Sequence, residues 1–146
     1  GVMFKEEYLN TMLEWSNPYE LDLTEGKGLV YFARVVDDVG NEYRYVGQTK
    51  RGKKRLNDYV NNVRRILSGL PRRTTKGQEK YRAVHLALAK ATQNNWFYEL
   101  KPIEITELTK LNDLESSKIK ELNCNLNVKW SWNVSDFSEL NLSDIR

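Results

Sequence analysis

The side chains of this chain that could do chemistry are tyrosine, arginine, lysine and glutamate. Cys124 is its one cysteine and His85 its one histidine, which excludes an internal disulfide, a cysteine-based zinc site and a histidine-rich metal cluster. Gly26-Lys27-Gly28 has neither Walker nor dinucleotide-binding spacing. A Ser, Thr or Cys nucleophile would lack a convincing base. His85 falls on an expected helix as a partly buried residue, and Cys124 falls near a helix end as a small buried filler. The remaining set suits phosphodiester hydrolysis. A carboxylate can hold a divalent cation, which polarises the phosphoryl oxygen and stabilises the leaving oxygen. A guanidinium grips a phosphate through its planar fork. Tyrosine, with a reference pKa of ~10, is a poor base near pH 7. It needs neighbouring cations to lower that value, and the chain supplies them.

Those cations are concentrated. Residues 50–90 hold thirteen Lys/Arg against Asp58 and Glu79, a local charge of +11. The whole chain is +3, so the rest carries −8. A basic block inside an acidic chain is the footprint of a polyanion such as nucleic acid. A solvated helix face neutralised elsewhere is the alternative. With 146 residues, 40% hydrophobic and 29% charged, the chain is expected to fold as a single domain over 1–146. No apolar run approaches the ~20 residues of a membrane span, and the N-terminus lacks signal-peptide order. These features and the lone cysteine point to a reducing, cytoplasmic setting with no membrane partner.

The elements that would position such groups follow from periodicity. Tyr8, Leu9, Met12, Leu13 and Trp15 have helical spacing over Glu6 to Trp15, inside an N-terminal extension of 1–27 that Asn17-Pro18 interrupts. Residues 29–36 and 43–48 are β-rich runs around Asp37-Asp38-Val39-Gly40-Asn41, an antiparallel hairpin whose register the sequence leaves open. From Lys53 to Leu67, Leu56, Tyr59, Val60, Val63, Ile66 and Leu67 form a helical stripe that Ser68-Gly69-Leu70-Pro71 ends. A polar basic loop leads to a second helix from about Gln78 to Thr92. These two helices make a basic helix–loop–helix insert over 53–92. Residues 96–106 read as a third strand, broken or edged by Pro102. Asn112 or Asp113 is expected to cap a third helix containing Leu114, Lys118, Ile119 and Leu122. Residues 125–134 read as a short strand or extended segment, in which Trp130 and Trp132 serve packing, and 135–146 as a weakly ordered tail. The expected class is α+β, a small antiparallel three-stranded sheet flanked by helices.

Placed on these elements, the residues resemble the GIY-YIG nuclease superfamily, most closely its small stand-alone phage-type endonucleases. Leu29-Val30-Tyr31 after Gly28 stands for the first tripeptide and Tyr45-Val46-Gly47 for the second, followed by Gln48-Thr49-Lys50. Arg55 lies eight residues after Gly47, and Tyr59 one helical turn further. Glu115 opens Glu-Ser-Ser-Lys-Ile-Lys-Glu-Leu-Asn, and Asn127 follows twelve residues later. The resemblance covers about 28–130 and implies a role for each residue. Tyr31 would be the general base, with Tyr45 assisting. Arg55 would stabilise the phosphorane, and Tyr59 would hydrogen-bond near the scissile phosphate. Lys80 would contact phosphate, Glu115 would hold one Mg²⁺ or Mn²⁺, and Asn127 would brace the site.

Double-stranded DNA is the implied partner. Contacts are expected from Lys50, Arg51, Lys53, Lys54, Arg64, Arg65, Arg72, Arg73 and Lys76, mostly to phosphates. Cutting both strands with one site per chain implies a homo-oligomer, dimer or tetramer. Two other functions share the basic block: a non-catalytic nucleic-acid-binding module on a nuclease-like scaffold, and a protein-interaction domain docking an acidic partner.

Overall fold

The computed structural model describes residues 12–74, 76–77 and 79–146. Within them the chain is α+β. Strand β1 (Gly28–Val36) turns into β2 (Glu42–Thr49), followed by helix α1 (Lys53–Leu67). A two-residue strand β3 (Tyr81–Arg82) leads directly into α2 (Ala83–Asn94), then β4 (Phe97–Thr106). Helix α3 (Leu111–Glu121), a two-residue strand β5 (Ser131–Trp132) and three short 3₁₀ turns complete it. The main sheet is antiparallel in the order β2-β1-β4, and β3 pairs with β5 in a separate ladder.

The hairpin turn is organised by Asp37, whose carboxylate accepts the backbone N–H groups of Val39 and Asn41. The register that results pairs Tyr31 with Gly47 and Ala33 with Tyr45. Central β1 is buried on both faces, so it reads as a continuous apolar run rather than an alternating one. Leu29, Tyr31, Ala33 and Val35 pack into the core with Leu56, Tyr59, Val63 and the residues of α2. Val30, Phe32 and Val46 face Leu111, Leu114 and Ile119 of α3. The sheet thus lies between α1/α2 and α3. Pro102 sits on the edge strand β4, where the pairing with β1 shifts register between Val30 and Tyr31. An edge strand tolerates the missing donor.

Several expectations are corrected. Residues 6–11 of the N-terminal helix lie outside the described residues. Residues 12–15 are not helical, and Ser16 N–H donates to the Leu100 carbonyl at 2.9 Å. Helix α2 begins at Ala83 rather than near Gln78, because Tyr81 and Arg82 pair with Trp132 and Ser131. It is core on all sides, with Ala83 to Thr92 buried throughout, so the basic character of 53–92 belongs to α1 and the loop. Helix α3 starts from a 3₁₀ turn with Lys110 at its N-cap and no side-chain cap, leaving Asn112 and Asp113 in its first turn. The tail is packed: Phe137 and Leu142 are buried against the core, and Phe137 stacks on Trp132. This cover is what lets α2 be apolar all round. No helix among the described residues is long and apolar enough to cross a membrane.

Candidate functional site

Tyr31, Tyr45 and Tyr59 meet on the α1/α2 face of the sheet. Tyr31 projects from β1 across β2 and lies over Gly47. A Cβ at position 47 would stand 2.5 Å from the Tyr31 ring, so only glycine fits the third place of Tyr45-Val46-Gly47. The Tyr31 hydroxyl is 2.6 Å from that of Tyr59, which α1 supplies one turn after Arg55. Trp15 closes the group from the N-terminal extension, with its ring edge-on to Tyr31 at 5.6 Å and to Tyr59 at 6.0 Å.

Two guanidinium groups reach the cluster. Arg55 lies over the Tyr59 ring at 5.0 Å and stands 3.7 Å from Asp58. Arg82, at the junction of β3 and α2, donates Nη2–H to the Tyr45 hydroxyl at 3.0 Å and to the Tyr59 hydroxyl at 3.3 Å. Its backbone is held at both ends: its N–H donates to His85 Nδ1 at 3.2 Å, and its carbonyl accepts from Trp132 Nε1 at 2.9 Å. Arg82 Nε is buried and has no acceptor among the described residues.

Sequence reasoning missed Arg82. Within a run of thirteen cations nothing local marks it, and its aim depends on the β3–β5 ladder, which joins segments 50 residues apart.

Burial pushes the Tyr31 phenol up to about 12, with neighbouring Tyr45 adding to the rise and the Arg55 charge pulling the other way. Tyr45 and Tyr59 are also pushed up, chiefly by burial. The expectation that cations lower these phenols is therefore reversed. The cations are present, but desolvation of the phenolate outweighs them.

His85 is fully buried rather than partly so. Burial first, and then the charges of Arg82, Arg72 and Arg55, hold it well below its usual pKa. The neutral ring, accepting from Arg82 and lying 3.2 Å from the Asn62 amide, is a support for Arg82. Cys124 is half-buried, and burial pushes its thiol up to about 11, which fits an inert filler.

Glu115 enters from α3, on the other side of the sheet. Burial raises its pKa, while a hydrogen bond from Gln48 and the Arg82 charge pull it down. Gln48 also donates to Asn112 at 2.6 Å, so the end of β2 is tied to the first turn of α3. Among the described residues no group of three or more His, Cys, Asp or Glu gathers. One hard oxygen donor suits Mg²⁺, which keeps most of its waters and completes its shell with phosphate oxygens. Glu115, which feels the Arg82 charge, is the carboxylate that would hold such an ion.

Asn127 and Lys80 stand apart from the hydroxyls. Asn127 accepts from Val46 N–H at 3.1 Å and donates to the Val46 carbonyl at 2.7 Å. Asn125 does the same with Arg44 N–H and the Glu42 carbonyl. Two amide side chains thus act as a partner strand for the outer edge of β2. Lys80 is exposed, and the place near the tyrosines falls to Arg82 two residues later.

The expected DNA contacts separate into two groups. Arg51, Arg64, Arg65, Arg72, Arg73 and Lys76 line one groove of about 960 Å³ with Arg55, and Asp58 is its one acid. Lys50, Lys53 and Lys54 do not line it, and Lys54 pairs with Glu25 at 3.2 Å. Arg72 feels the charges of Arg82 and Arg55, which with burial lower its pKa. Such like-charge crowding is relieved by an anion. A cluster of tyrosine hydroxyls, two guanidinium groups and one carboxylate beside a cationic groove can bind a phosphodiester, orient it and stabilise added negative charge. Comparisons with protein-family models, curated proteins and solved structures give no match to this chain.

Proposed function

We propose that the chain is a metal-dependent endonuclease of the GIY-YIG kind that hydrolyses phosphodiester bonds of double-stranded DNA. One observation carries this reading: Tyr31, Tyr45, Tyr59, Arg55 and Arg82 form one cluster, Glu115 feels the Arg82 charge from α3, and Arg55 joins the cluster to a groove lined by seven cations. Glu115 holds the divalent ion, which when bound supplies Lewis acidity toward the phosphate. Arg55 and Arg82 offset the charge that builds on the phosphoryl oxygens. Tyr31, as its phenolate, would take the proton of the attacking water and become the phenol, while Tyr59 hydrogen-bonds to the Tyr31 oxygen and holds it in place. Lys80 contacts phosphate at the rim, and Asn127 keeps β2, and with it Gly47 and Tyr45, in place. Two nicks in opposite strands call for two active sites, hence a dimer or tetramer.

The non-catalytic binding module is favoured by a different observation. Tyr31 is only 1% exposed, and its phenol is pushed to about 12, a poor starting point for a base. A plasmid nicking assay with Mg²⁺, Mn²⁺ and EDTA separates the two. The endonuclease converts supercoiled plasmid to nicked or linear forms only with metal, and Glu115→Gln abolishes this while retaining DNA in a gel shift. Salt-sensitive retention without any nicking by the wild type would assign the binding module instead.

A further inference from the structure

A second cleft, of about 430 Å³, opens on the other side of Arg72 and Arg82. Its walls are Lys80 and Lys129, with Val128 and Trp130 as the apolar surface and Glu79 as its one acid. None of its four cations forms an ion pair with a described residue. The volume lies within the range of small-ligand sites, and a mononucleotide unit matches it in chemistry: a flat π-face for Trp130 and an anionic phosphate for the cations.

We propose that this cleft seats one unpaired nucleotide of the bound strand, with its base on Trp130 and its phosphate between Arg72 and Arg82. The inference rests on the nucleic-acid reading above and extends it to a preference for locally opened DNA.

Connectivity is the first argument. Arg72 lines both this cleft and the cationic groove, and Arg82 reaches from the cleft to the Tyr45 and Tyr59 hydroxyls. A strand lying in the groove therefore reaches the cleft at Arg72, and Arg82 ties the cleft to the tyrosine cluster. A base in the cleft would be one or a few nucleotides from a phosphate held at Arg55 in the groove. Rigidity is the second. Trp130 directly precedes β5, whose residues Ser131 and Trp132 pair with Arg82 and Tyr81, and Trp132 Nε1 donates to the Arg82 carbonyl. The backbone that carries Trp130 is thus tied to that of Arg82 before any ligand arrives. Val128 is 37% exposed and Trp130, packed on the core, is half-buried, which leaves apolar surface beside cations that form no ion pair with a described residue. An unpaired base reaches such a face at low cost, whereas a paired one must first leave its stack.

The test measures equilibrium binding in EDTA, using a duplex with one bulged adenine and the same duplex with an abasic residue in the bulge. The wild type is expected to bind the adenine duplex on the order of tenfold more tightly, the value of one aromatic stack. Trp130→Ala should remove the difference and Trp130→Phe should restore most of it. Equal affinity for the two duplexes in the wild type, or a difference that survives in Trp130→Ala, overturns the subsite. Failure to bind either duplex overturns it as well. Because the comparison excludes metal, a wild type that shows the base-dependent difference but never nicks plasmid would refute the endonuclease reading alone. Nicking without base dependence would refute the subsite alone.

Discussion

At the residue scale, the site depends on how desolvation and charge balance on single groups. Arg82 is the clearest case, since one guanidinium serves two phenols. Lysine is a point charge and cannot reproduce that fork. Arg82→Lys is expected to lower the nicking rate on the order of 10²-fold, with a smaller change in DNA affinity, as for loss of one preorganised transition-state donor. Single-turnover cleavage beside a binding isotherm checks the split. The buried titratable groups also set a pH window for stability. His85 is held well below 6.5 in the fold, so its contribution is complete above pH 6.5 and is lost as pH falls. Tyr31 is raised from 10.0 to about 12, so its contribution is complete below pH 10 and is lost as pH rises toward 12. That rise corresponds to about 3 kcal/mol for the buried phenol. Urea midpoints should therefore be highest between about pH 7 and 9.5, and His85→Gln should flatten the acid side. A wild-type midpoint unchanged from pH 7.5 to 5 would contradict the buried neutral His85.

At the element scale, the hairpin is built around one cross-strand contact. Gly47 opposite Tyr31 lets the ring lie flat across β2 and reach Tyr59. Gly47→Ala places a methyl group where the ring stands. It is expected to cost about 1–3 kcal/mol, as for an overpacked core site, and to abolish nicking by turning Tyr31 away from Tyr59. Thermal unfolding together with the plasmid assay reads both effects, and full activity in Gly47→Ala would show that the contact is dispensable. This glycine was legible in the sequence as part of a pattern, but its reason was not. Strand parity alone left the register open, and the register decides which side chain crosses position 47. The same limit explains α2. Its periodicity pointed to a helix with one buried face, yet Trp132 of β5 and Phe137 and Leu142 of the tail, all more than 35 residues beyond its end, join the core around it.

At the scale of the whole molecule, the proposed function rests on a cationic groove that Arg55 joins to the tyrosine cluster. Seven cations with one acid in the groove predict a steep salt dependence of DNA binding, with a slope of log K against log salt of about −5 if most of them meet phosphates. Arg73→Gln should reduce that slope by about one without changing sequence preference. A slope near zero would remove the groove from the interface. The sequence by itself determined the local elements, the basic block and the residue types. Apolar spacing, turn residues and charge are written over short stretches of chain, and the order of residues singled out Tyr31, Tyr45, Arg55 and Tyr59, which the fold brings together. Tertiary structure alone decided how they meet. It set Glu115 on the layer across the sheet from the tyrosines, put Arg82 rather than Lys80 at the phenols, made Asn127 a brace for β2, and buried the phenols deeply enough to raise rather than lower their pKa. Each of these outcomes depends on pairing or burial between segments far apart in sequence. Such contacts form only when the hydrophobic faces of all three layers close together, and no local window of residues encodes them.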